Sequence, residues 1–165
     1  MTMASFFLGA KPFVEAFDRW VEKVKPAAVA DHVCYKCSSA AEFEAVRRMF
    51  EGSSAFVYQS IISHRRIAVV KFTPAVQTAL GPIQILELSD QKPDGSQTSG
   101  FDHVEIYPTA GTMDALADQL GAAGTSFEKV VRPHHTTYDA VIFGSFKVRL
   151  EPEPLLEKIK RDEFF

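Results

Sequence analysis

A chain of 165 residues that is 46% hydrophobic can bury one core, and nothing in its composition asks for a second. A formal net charge of -3 with scattered lysines and arginines excludes a basic face for nucleic acid. No apolar run reaches membrane-spanning length, and "MTMASFFLGAKPF" has too short an apolar core and too few small residues at a cleavage point for an export signal, so a cytoplasmic protein without nucleic-acid or membrane partners is expected.

The first element predicted in chain order is a helix over about 11–25. Phe13, Phe17, Trp20, Val21 and Val24 fall on one stripe, Pro12 sits in the first turn and Pro26 closes the segment. The strand "ADHVCYKC" follows. Ser39 and Glu42 then have the spacing of a capping box ahead of Phe43, Val46, Met49 and Phe50 at helical intervals, and Gly52 ends that helix. The runs "SAFVYQSII", "RRIAVVKF" and "PIQILEL" read as three further strands, which makes β-α-β-β-β over about 30–88. Residues 89–100 are polar and rich in turn formers, and read as a linker.

The same order then repeats over about 101–151. "FDHVEIYP" reads as a strand, Thr112 caps "MDALADQL" with Gly121 past its end, and "SFEKVV", "YDAVIF" and "FKVRLE" follow, the last two joined at Gly144-Ser145. A C-terminal helix is expected over about 154–163, and the whole chain reads as one α+β domain built from two modules. Both modules open on Asp-His-Val, at His32 and His103, so the repeated tripeptide and the repeated element order agree.

The last strand of each module ends in a glutamate, Glu87 in "ILEL" and Glu151 in "VRLEPEP". Two modules packed about a pseudo-twofold would bring two imidazoles and two carboxylates together, a donor set suited to a divalent metal of intermediate hardness with positions left open. A lone carboxylate on an apolar strand costs several kcal/mol to bury without a partner. The alternative is structural: each histidine bonded to its neighbouring aspartate or to backbone, and Glu87 paired with Arg65 or Arg66. Strand alternation puts Cys34 and Lys36 on the face of His32, Glu105 and Tyr107 on that of His103, and Lys147 and Arg149 on that of Glu151. Val33, Val104, Ile106, Val148 and Leu150 take the opposite face, so one side reads as core and the other as a polar cup for a small-molecule ligand.

Cys34 and Cys37 form "CYKC", but residues three apart on a strand point to opposite faces, which argues against a redox pair or half a zinc site. His134 and His135 are adjacent in "RPHHTTYD", where neighbouring side chains diverge, and a solvated loop is expected. His64 and Arg65 fall at a turn.

The stretches "ADHVCYKC", "ISHRRIAVVKF", "GPIQILELSDQKPDG", "GFDHVEIY" and "FKVRLEPEPLLEKI" resemble the bacterial YecM family, within the wider vicinal oxygen chelate superfamily of glyoxalases and bleomycin-resistance proteins. The resemblance covers about 30–160. It implies a curved, partly closed mixed sheet of paired βαβββ modules with helices outside, and a divalent metal ion (Zn, Ni, Mn or Fe) at the shared cup. The ligands it implies are His32, Glu87 and His103. Glu151 is the fourth, standing where the YecM pattern has histidine, although glutamate is usual in the superfamily. Arg65 matches a family arginine, an anion-holding role being weighed against a surface charge. Three functions stay open: a metalloenzyme of isomerase, lyase or dioxygenase type on a hydroxy or oxo acid, with Glu105 handling a proton and Arg65, Lys36, Tyr107 and Arg149 holding substrate; a binding protein without turnover; and a metal-free scaffold.

Overall fold

The computed structural model describes residues 1–133 and 135–163, so His134 lies outside the described residues. Helix α1, Met3–Leu8, precedes every element expected from the sequence. Thr2 and Ser5 cap it reciprocally, and its rings seat it: Phe6 lies 4.9 Å from Tyr35 and Phe7 4.3 Å from Phe72, centroid to centroid. Helix α2, Lys11–Val24, follows the expected stripe, burying Phe17, Trp20, Val21 and Val24, and Trp20 Nε1 donates to Thr125 Oγ1 at 3.0 Å.

The first module comprises β1, Ala28–Lys36; α3, Ala40–Phe50; β2, Ala55–Ile62; β3, Arg65–Thr78; and β4, Gly81–Ser89. The second comprises β5, Gly100–Pro108; α4, Met113–Ala122; β6, Glu128–Val131; β7, Thr136–Phe143; and β8, Phe146–Leu150, before α5, Leu155–Glu163. Gly144, at φ +56°, supplies the left-handed residue that the two-residue turn between β7 and β8 demands. The side chains of Ser39 and Thr112 accept the amides of Glu42 and Ala115 at 3.0 and 3.1 Å. Ser39→Ala and Thr112→Ala should each lower stability by about 1 kcal/mol, read as a shift in the urea midpoint at constant slope.

All eight strands form one mixed sheet in the order β2-β3-β4-β1-β5-β8-β7-β6, with β2 and β6 at its open edges. In each module the first strand pairs parallel with the last, β1 with β4 and β5 with β8, and the modules join through the antiparallel pair β1–β5. Val33, Val104, Ile106, Val148 and Leu150 form the main core with Phe17, Phe43, Val46, Phe50, Leu116 and Leu120 of α2, α3 and α4. On the other face Val69 and Ile85 pack on Ile159 of α5. The sheet therefore carries helices α1–α4 behind it and only α5 in front. No helix is long and apolar enough to cross a membrane among the described residues.

Candidate metal centre in the sheet cup

The register of β1 and β5 sets His32 opposite Glu105 and Cys34 opposite His103. These residues alternate with the buried valines of the core, so all four project from the face that α5 covers. Glu105 lies between the two imidazoles: its Oε2 is 3.3 Å from His32 Nε2 and its Oε1 3.2 Å from His103 Nε2. The ring centroids are 6.5 Å apart. One donor atom from each of His32, His103 and Glu105 lies within 4.8 Å of the others, close enough for one ion to touch all three. Cys34, Glu87 and His103 form a second group that meets the same criterion one rung along the strands.

Each ring is oriented from behind by its neighbour in sequence. His32 Nδ1 lies 2.6 Å from Asp31 Oδ2, and His103 Nδ1 lies 2.6 Å from Asp102 Oδ2. The bond to the neighbouring aspartate expected under the structural reading is therefore present in both halves, and it commits Nδ1 while leaving Nε2 facing the cup. Asp31 Oδ2 also accepts the amide of Leu155, the first residue of α5, at 3.0 Å. Asp102 is held by Lys36 at 3.2 Å and Lys147 at 3.3 Å. Burial opposes the charged form of Asp102, but His103 and these lysines outweigh it and keep the carboxyl far below the usual range.

His32 is fully buried, and although its Nε2 is within ion-pair distance of Glu105, it lacks the alignment of a hydrogen bond with any partner among the described residues. Burial works against its charged form; the carboxylates of Glu105 and Asp31 prevail and raise its pKa well above the ordinary imidazole value. Burial likewise opposes ionisation of Glu105, yet the two histidines pull its pKa well below the carboxylate range. On its other side Arg149 closes on Asp139 through two bonds, Nε to Oδ1 at 2.9 Å and Nη2 to Oδ2 at 3.1 Å. Its Nη1 lies 3.3 Å from His103 Nε2 and 3.9 Å from Glu105.

A cavity of about 850 Å³ opens in front of this cluster, whereas the small apolar void behind the sheet, about 20 Å³, has room for a single water. The lining of the large cavity includes Arg65, Glu87, Glu105, Arg149 and Glu151 of the residues singled out in the sequence; His32 and His103 lie buried behind Glu105, and neither they nor Lys36 and Tyr107 are among the described residues that line it. Glu151 is buried past the end of β8, where burial first and Glu105 second push its carboxyl up to about 7. His135 Nε2 lies 3.7 Å from Glu151 Oε1, and burial, Lys158 and Arg132 push that imidazole down to about 4. Glu87 pairs with neither Arg65 nor Arg66: Arg65 donates to Gln97, and Arg66 engages Glu44 and Asp90.

Register also separates two residues that sequence spacing makes equivalent. A twofold exchanging β1 and β5 exchanges His32 with His103 and Cys34 with Glu105. Glu87 lies opposite Cys34, so its counterpart is the residue opposite Glu105, which is Arg149 and not Glu151. The structure thus groups His32 and His103 with Glu105, and places Glu87 and Glu151 on either side. Asp31, Asp102, Asp139 and Lys158 were not singled out as site residues; the doubled Asp-His-Val was the signal for the first two. Both cysteines are free, Cys34 on the cup face and Cys37 in the main core.

Residues 15–151 match the family described as YecM protein. No curated protein matches the chain. Among solved structures, the structural-genomics protein EC4020 superposes with a TM-score of 0.75 at 22% identity, over 98% of this chain and 92% of that one. Hydroxyglutarate synthase from Oryza sativa, in complex with 2-oxoadipate, gives 0.57 at 8% identity over 98% and 83%. A methylmalonyl-CoA epimerase in complex with methylmalonyl-CoA and NH4+ gives 0.47 at 13% identity over 76% and 95%. The paired modules, the mixed eight-stranded sheet and a family match that spans most of the sequence agree, and the chain belongs to the YecM family.

Proposed function

We propose that the cup binds one divalent cation through His32, His103 and Glu105, with Glu87 and Glu151 flanking it, and presents it to a small oxygenated ligand in the cavity. The observation that carries this reading is the pair of buried Nε2 atoms aimed at one carboxylate while both Nδ1 atoms are committed to aspartates. His103 Nε2 has the Arg149 guanidinium as a donor at 3.3 Å, whereas the lone pair of His32 Nε2 faces the Glu105 carboxylate and repels it unless a cation, either a proton or a metal, stands between them. Two imidazoles and a carboxylate suit Zn, Mn, Fe or Ni. When bound, the ion would supply Lewis acidity at a ligand oxygen.

The two cup glutamates divide the remaining work. Glu105, expected from the sequence to handle a proton, has its pKa drawn far down between two histidines and serves better as a permanent negative charge. Glu151, with its carboxyl near 7, would take up and return a proton at the ligand, with neutral His135 beside it. This division favours isomerase or lyase chemistry; a binding protein would use the same cup without turnover.

The test is elemental analysis of protein purified without chelator, together with its melting temperature in Zn, Ni, Mn and Fe(II). A near-stoichiometric ion and a rise in melting temperature are expected. Metal-free protein that gains nothing from any of the four would leave each histidine bonded to its neighbouring aspartate, the structural reading. Acid should weaken binding: because the pKa of His32 is raised, its proton competes with the ion until the pH climbs past that raised value. Affinity should fall by about tenfold per pH unit on acidification for each proton displaced, measurable by titration calorimetry.

A further inference from the structure

The charges lining the cavity do not all find partners within the protein. Arg149 and Arg132 close on Asp139. Glu153 and Asp162 close on Arg161. Glu105 is engaged by the histidines. Two cations on the lining, Arg65 and Lys158, meet no carboxylate within ion-pair distance among the described residues. Arg65 donates only to the neutral amide of Gln97, and Lys158 is near enough to depress His135 and to lower Glu151 without reaching either.

Arg65 is also delivered to the cavity by an unusual turn. Ser63 and His64, between β2 and β3, both take left-handed conformations, φ +52° and +64°, at non-glycine residues. This hairpin brings Ile61, Ile62 and Arg65 to the cavity lining, with Ile61 73% exposed. Ile67, Val69 and Ile159 add apolar surface deeper in the cup.

We infer that the cavity takes an organic acid with two separated polar ends: an oxygen-bearing head at the proposed cation site beside Glu105, an apolar middle along Val69, Ile67 and Ile159, and a carboxylate engaged by Arg65, which shares a face of β3 with Ile67 and Val69. The inference rests on the proposed cup site for its head group and on the unpaired Arg65 for its tail. A carboxylate there completes charge-assisted bonds that the protein leaves open.

The experiment titrates 2-hydroxy dicarboxylic acids of increasing chain length, each against its terminal monoamide, which keeps the shape and removes the tail charge. Calorimetry and melting shifts are recorded on the full chain, loaded with Mn and after chelation, with metal content measured on the same samples. At least one diacid should bind the native protein, its monoamide at least about tenfold more weakly. Arg65→Gln should shrink that ratio toward one while metal content stays unchanged. Failure of every diacid to bind, equal binding of diacid and amide, or a ratio that survives Arg65→Gln overturns the inference. Absence of metal sinks the proposed cation site instead, and a charge preference that persists after chelation leaves the tail subsite standing.

Discussion

His103→Ala should strip the ion from the cup and weaken the fold in the same step. The substitution removes Nε2 from the front of Glu105 and the Nδ1 bond from Asp102 behind it. Changing an outer partner of a metal-bound histidine costs 10–100-fold in affinity, so losing the donor itself should exceed about 100-fold. In the metal-free protein the cost arises from Glu105, only 7% exposed, which keeps His32 but loses one of its two imidazoles. Leaving a buried group short of a hydrogen-bond partner costs about 1–3 kcal/mol, and the charge of Glu105 places this case near the upper figure. Elemental analysis and urea unfolding after chelation measure the two effects separately. Asp102→Asn, which leaves all three donors in place, should show only the outer-partner loss. A variant without His103 that still carried a stoichiometric ion would remove this residue from the site.

Arg149→Ala should be the most destabilising single change among the charged residues of the cup. Its guanidinium is largely shielded from solvent, closes on Asp139 through two bonds and reaches Glu105 at 3.9 Å. The alanine leaves Asp139 to Arg132, at 3.7 Å, and to Thr137, and leaves Glu105 with the histidines alone. A loss of about 3–5 kcal/mol follows, or roughly 10 °C in melting temperature for a chain of this size. Arg149→Lys should recover only part, because an ammonium cannot span both carboxylate oxygens. Arg149→Met combined with Asp139→Leu removes both charges at similar volume and should restore most of the stability. Were the single and double variants equally unstable, packing rather than charge would account for the role of Arg149.

Much of this architecture can be read from alternation and caps. The doubled Asp-His-Val, the helix starts at Ser39 and Thr112 and the turn at Gly144 are all local signals, and each structural counterpart follows from backbone chemistry within a few residues. Helix α1 escaped because its cap joins Thr2 to Ser5, without the glutamate that marks a capping box, and because a short run with two phenylalanines gains its stability from rings far along the chain. Facing positions on one strand were legible, so Glu105 could be placed with His103. Pairing between strands was not. Whether Glu151 or Arg149 stands opposite a given residue of β5 depends on register, and spacing along the sequence leaves that open by two residues, one full period of the pleat. The roles of Asp139 and Lys158 depend on β7 and α5 meeting the cup, contacts that no local pattern encodes.

The oxygen of Asp31 that orients His32 is also the one that receives the first amide of α5. Asp31 thereby caps a helix more than a hundred positions away, with its negative charge at the positive end of the helix dipole. Withdrawal of α5 would leave that oxygen with a single donor and alter the basicity of the imidazole it steadies. The set of the His32 imidazole and the seating of the C-terminal helix are thus strung on the same atom, and loosening either is felt by the other.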